Sequence, residues 1–138
     1  MLLIALGLLT GLTTAQTPPN PPAARPVAII TCTRFGTPTE GEWAPLRFRY
    51  DPASRSLLYF SPVPQRYVSG DNVEVVISSD SFVRRVTFDA DSSTTHIIDR
   101  IDGGFRQISR FKTRTVNTDL QGRCTAVDEA TGEALRRF

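Results

Sequence analysis

The two cysteines constrain this chain more than any other feature. Cys32 lies in the first apolar segment after a hydrophobic leader, within Ile29-Ile30-Thr31-Cys32-Thr33. Cys124 lies in the last, within Gly122-Arg123-Cys124. If they pair, the two ends of the domain are tied and the chain between them becomes one closed loop. The chain-entropy account assigns a loop of about 90 residues about 4–5 kcal/mol. That is large against the about 5–15 kcal/mol that holds a small domain folded. The alternative is a pair of free, buried thiols.

The leader bears on which it is. Met1 to Leu12 is nearly all apolar, and Thr13-Thr14-Ala15 then offers small residues. This is the pattern of a secretory signal peptide, and the run is too short to span a bilayer. Export places the cysteines in an oxidising compartment, periplasmic or extracellular, where a disulfide is the ordinary outcome. The expected organisation is a signal peptide over 1–15, a Pro-rich linker over 16–26, a β domain over 27–127 and a charged tail over 128–138. The linker, QTPPNPPAARP, is rich in proline, which removes backbone donors, and has no apolar periodicity. Formal net charge is +2, and Lys112 is the one lysine among sixteen basic residues. A balance this near neutral gives no ground for nucleic acid or a membrane surface as partner.

Within the β domain, short apolar runs are punctuated by turn residues. Val27–Phe35 is β-branched and apolar. Leu46–Tyr50 alternates, with Leu46, Phe48 and Tyr50 on one face and Arg47 and Arg49 on the other. Ser56–Phe60 returns after an Asp51-Pro52-Ala53-Ser54 turn. Arg66–Ser69 is a short extended piece. Val73–Ser78, Phe82–Phe88, Thr94–Ile101, Phe105–Val116 and Leu120–Val127 follow as strands. Phe82, Val86 and Phe88 share their face with Arg84. The tail from Asp128 to Phe138 reads as a frayed helical turn, and Trp43 as a lid over one end of the core. No segment carries a helical period. The predicted fold is all-β: an antiparallel meander of about eight strands closing as a small barrel or a two-layer sandwich. A first strand beside the last is what closure requires.

Candidate chemistry is sparse. His96 is the one histidine. Asp99, three residues on, points to the opposite face of a strand, so no local base–carboxylate pair exists. His96 reads as an ordinary surface or edge residue. Two cysteines and one histidine fall short of a structural zinc site. Asp89-Ala90-Asp91-Ser92-Ser93 resembles the start of a calcium loop but has Thr94 where glycine is needed and Arg100 where glutamate is needed. The most marked feature is a basic stripe. Arg106, Arg110, Lys112 and Arg114 share one parity and suit an acidic protein patch or an anionic glycan. The competing reading is a solvated face that resists edge aggregation. An outer-membrane barrel is disfavoured, because most runs are shorter than the about 9–11 residues a membrane strand needs.

Ile98-Asp99-Arg100-Ile101-Asp102-Gly103, Gly122-Arg123-Cys124 and Arg136-Arg137-Phe138 together resemble small exported bacterial β-proteins of unassigned function. That resemblance implies a periplasmic β-fold with a terminal disulfide and no catalytic residues. A looser analogue is the periplasmic lysozyme-inhibitor class of small disulfide-tied barrels, from whose inhibitory loop Arg66-Tyr67-Val68-Ser69-Gly70 departs. The expected protein is a non-enzymatic binding or interaction module, without cofactor or metal, using the basic stripe or a barrel mouth. The alternative is an inhibitor of a cell-wall hydrolase acting through Pro62–Asn72.

Overall fold

A two-residue period can bury one face only if the chain is extended, and the segment LRFRYD shows that period without interruption. In the computed structural model, which describes residues 11, 25–35, 44–112 and 118–138, it is strand β2, Leu46–Asp51, with Phe48 and Tyr50 buried. The same logic runs through β1 (Ala28–Arg34), β3 (Ser56–Pro62), β4 (Gln65–Val68) and β5 (Val73–Ile77). It continues through β6 (Ser81–Asp89), β7 (Ser92–Asp99), β8 (Gly104–Phe111), β9 (Thr118–Asp128) and the short β10 (Ala134–Leu135). The eight expected strands are present, the extended piece is β4, and β10 is additional. The leader, most of the linker, Trp43 and Arg114 lie outside the described residues.

All pairings are antiparallel, in the order β4-β3-β2-β1-β9-β8-β7-β6-β5, with β10 beside β9. Each strand pairs with its neighbour in sequence except β4 with β5, and β1 pairs with β9 along its full length. The result is one strongly curled sheet, a half-barrel, whose inner faces meet across the interior. Tyr50 of β2 lies 4.6 Å from Phe82 of β6, and Phe48 lies 5.6 Å from the ring of His96 on β7. The core is Ala28, Ile30, Phe48, Tyr50, Leu57, Phe82, Ile98, Phe105 and Ala126 around the two cysteines. Phe48, Phe82 and Ile30 are fully buried. Each such side chain contributes about 1.5–3 kcal/mol.

Cys32 and Cys124 are register partners and form a disulfide with a sequence separation of 92. Beside them the β1 and β9 backbones come very close at Gly122. A Cβ there would collide with the Thr33 carbonyl and reach 3.0 Å from the Arg34 Cα.

Both ends of β7 differ from the local reading, and side-chain caps mark both; β8 also ends early, at Phe111, and β9 starts early, at Thr118. β7 stops at Asp99 because Asp99 Oδ1 accepts the N–H groups of Ile101 (2.7 Å) and Asp102 (3.0 Å), folding the chain into a turn. These bonds hold the Asp99 carboxyl below its ordinary pKa. Asp102 Oδ1 then accepts from Gly104, and Gly103 sits at φ 78°. At the other end, the turn after β6 shrinks to Ala90-Asp91, with a bulge between Thr87 and Asp89, so Ser92 and Ser93 join β7. In the tail the Gly132 N–H donates to the Asp128 carbonyl at 2.7 Å, the single helical turn expected there. Asp128 caps a turn by accepting from Ala130 at 2.8 Å, and the chain then returns as β10 along β9.

Candidate functional site

Of the basic stripe, Arg106 and Arg110 lie on the outer face of β8, Lys112 follows in the turn after it, and Arg114 is outside the described residues. Arg106 is held side-on by Asp119, Nε to Oδ1 at 2.8 Å and Nη2 to Oδ2 at 2.5 Å. Each partner shifts the other: Arg106 holds the Asp119 carboxyl down, and Asp119 pushes the guanidinium up. Lys112 reaches Asp91 at 3.2 Å. Arg110 is exposed. Two of the three described cations therefore face a carboxylate, which leaves little net field for an anionic partner. Such solvent-exposed pairs add little to stability, because water and salt screen them.

The interior is divided along its length. At the end where β1, β8 and β7 carry Ala28, Phe105 and Ile98 it is apolar. At the other end the inward parity brings Arg34, Arg84, Thr94, His96, Gln107 and Ser109 together. His96 is only 7% exposed, so it is an interior histidine and not a surface one. Its register partner on β6 is Arg84, 5% exposed. Arg84 Nη1 lies 3.4 Å from His96 Nδ1, and its guanidinium stacks 4.8 Å over the Tyr59 ring. Burial pushes the imidazole down to about 4, with the positive charges of Arg84 and Arg34 adding to the effect and a Gln107 hydrogen bond opposing it. His96 is thus neutral near pH 7. Asp99 remains in its turn, away from the imidazole. The readable signal was Arg84 on an otherwise apolar face. What could not be read was its pairing with His96 across the β6–β7 register.

Beyond the apolar end, the half-barrel opens into a cleft of about 490 Å³. Its floor is Ala28, Tyr50, Ile101, Leu135 and Phe138; Arg25, Arg100 and Arg137 supply charge, against Asp80 alone. Arg100 is 7% exposed and fixed. Its backbone N–H donates to the Asp80 carbonyl at 2.8 Å, and its Nε donates to the Phe138 carbonyl at 2.5 Å. Nη1 donates to the Ser78 carbonyl. The guanidinium lies over the rings of Phe82 (4.6 Å) and Tyr50 (5.0 Å). Cation–π contacts of this kind contribute about 0.5–2 kcal/mol. The guanidinium therefore forms part of the cleft wall. The exposed arginines stand at the rim. The volume falls within the range of small-molecule sites, and a mostly apolar lining with a few convergent charges is their usual make-up.

Among the described residues no group of three His, Cys, Asp or Glu side chains could hold a metal ion. No helix of the described residues is long and apolar enough to cross a membrane. No protein-family model, curated protein or solved structure matches the chain.

Proposed function

We propose that the chain is an exported, non-enzymatic β-domain that binds an amphipathic anion in the cleft beyond its apolar end. The disulfide and the hydrophobic, small-residue leader support export. One observation carries the ligand reading: an apolar floor of binding-site size ringed by three arginines and one aspartate. An apolar body would cover Leu135, Ile101 and Phe138 while an acid head met Arg25 and Arg137. Such a ligand uses both halves of the lining. A neutral one would waste the charge and a cationic one would meet it unfavourably.

Calorimetric titration with laurate, decanol and dodecyltrimethylammonium tests this. Laurate is expected to bind best. Arg137→Glu, at an exposed position, is expected to weaken laurate about tenfold, or about 1.4 kcal/mol. Arg110→Glu with Lys112→Glu, on the outer stripe, is expected to leave it unchanged. Equal binding of all three amphiphiles, or none, overturns the reading. The alternative, inhibition of a cell-wall hydrolase, has one observation in its favour. Val63 stands 86% exposed at the β3–β4 turn, within reach of a partner's cleft. A lysozyme rate unaltered by stoichiometric protein removes that reading.

A further inference from the structure

The polar end of the interior holds a charge, Arg84, that has no carboxylate partner among the described residues. Arg84 is 5% exposed and, as a guanidinium, stays ionised. Burial lowers its pKa, and the Tyr59 ring opposes that shift. The ion pairs of the described residues, Arg49–Glu129, Arg106–Asp119 and Lys112–Asp91, all lie elsewhere. Arg84 has instead the face of Tyr59 and one hydrogen bond, from Nη1 to His96 Nδ1. A guanidinium can only donate, so Nδ1 accepts and the imidazole proton sits on the other nitrogen. Nε is buried with no partner at all.

The edge of this guanidinium without a hydrogen bond among the described residues is Nε–Nη2, two parallel donors at the spacing of two carboxylate oxygens. We propose that this end of the half-barrel binds a small carboxylate, held side-on by Nε and Nη2 of Arg84 beside His96. Thr94 and Ser109 are buried register partners with hydroxyls 3.0 Å apart; one donates to the other, which leaves the second proton of the pair for such a ligand. The site is separate from the arginine-rimmed cleft and does not depend on it.

Binding is coupled to a proton. Among the described residues, the groups acting on His96 are the charges of Arg84 from β6 and Arg34 from β1 and a hydrogen bond with Gln107 from β8, while the titratable Tyr59 from β3 faces Arg84. The two arginines disfavour the imidazolium. A bound carboxylate offsets them, so His96 titrates higher in the complex and affinity rises as pH falls from neutral. This ends where the ligand itself becomes protonated.

His96 is the sole histidine, so its ring resonances report the site without ambiguity. The disulfide-bonded chain is titrated with sodium formate and with sodium chloride at constant ionic strength. Formate is expected to shift the His96 signals saturably, and chloride is not. In saturating formate the His96 midpoint is expected to rise by about one unit. Arg84→Met is expected to abolish the response. Arg84→Lys, which keeps the charge but loses the fork, is expected to weaken formate at least tenfold. It serves as the test if the methionine variant does not fold. Absence of a saturable shift, an equal shift with chloride, or an unchanged response in a folded Arg84 variant overturns the proposal. Laurate binding at the cleft is expected to be unaffected by these variants, so the two sites fail or stand separately.

Discussion

At the level of single side chains, His96 links burial to pH. In the unfolded chain the imidazole takes a proton near 6.5, but in the folded chain only near 4. A folded pKa below the unfolded one means that the unfolded state binds the proton first. Stability is therefore complete above about 6.5 and is lost as pH falls toward 4, by about 3 kcal/mol. Urea denaturation from pH 7 to 4 is expected to show this loss in the native chain and a flatter profile in His96→Gln. Equal slopes would place the imidazole in water. Arg84 follows the opposite rule. It cannot shed its charge, so its burial costs on the order of several kcal/mol until something negative arrives.

Among the strands, the β1–β9 pair is the most constrained. It holds the disulfide, and Gly122 lets the two backbones approach. At Gly122 a methyl group meets main-chain atoms of Thr33 and Arg34, which cannot rotate away. Gly122→Ala is expected to cost about 3 kcal/mol, the penalty of overpacking plus a displaced strand. At Gly132, φ 73°, an added methyl group meets nothing, and the cost is only that of holding a side chain in the left-handed region. Gly132→Ala is expected to cost about 1 kcal/mol. Equal costs in denaturant titrations would contradict the close approach of β1 and β9. The flanking turns show what a local reading captures. Asp51, Asp89, Asp99 and Asp128 each accept backbone N–H groups; Asp51 and Asp89 lie in segments read as turns and Asp128 opens the tail's turn, whereas Asp99 was read inside a strand. The ends of β7 were displaced because the capping bond, more than the residue type, sets where a strand stops.

Across the sheet, the first and last long strands occupy the middle and the seam falls between β4 and β5. The edge strands lack one partner each, and β5 leaves Val76 exposed at 54%. Amide exchange is expected to be slowest in β1 and β9 and at least a hundredfold faster in β4 and β5, a difference of about 3 kcal/mol in opening free energy. Comparable protection in all four would mean that the barrel closes.

Strand positions, turns, the all-β class and the pairing of the cysteines were legible because each rests on neighbours in sequence or on the count of two thiols. Alternation also announced which face of β2 would be buried. It was silent on the interior's polar end, because Ser92, Thr94 and His96 offer no apolar contrast to the residues between them. Their inward direction follows from Ile98 and from the β6–β7–β8 register, contacts made between distant parts of the chain. The same holds for the cleft, whose arginines come from positions 25, 100 and 137 and converge only when the sheet curls. Local patterns carry the periodicity of the backbone. The meeting of charges drawn from separate strands is set by register and curvature, which no single segment contains.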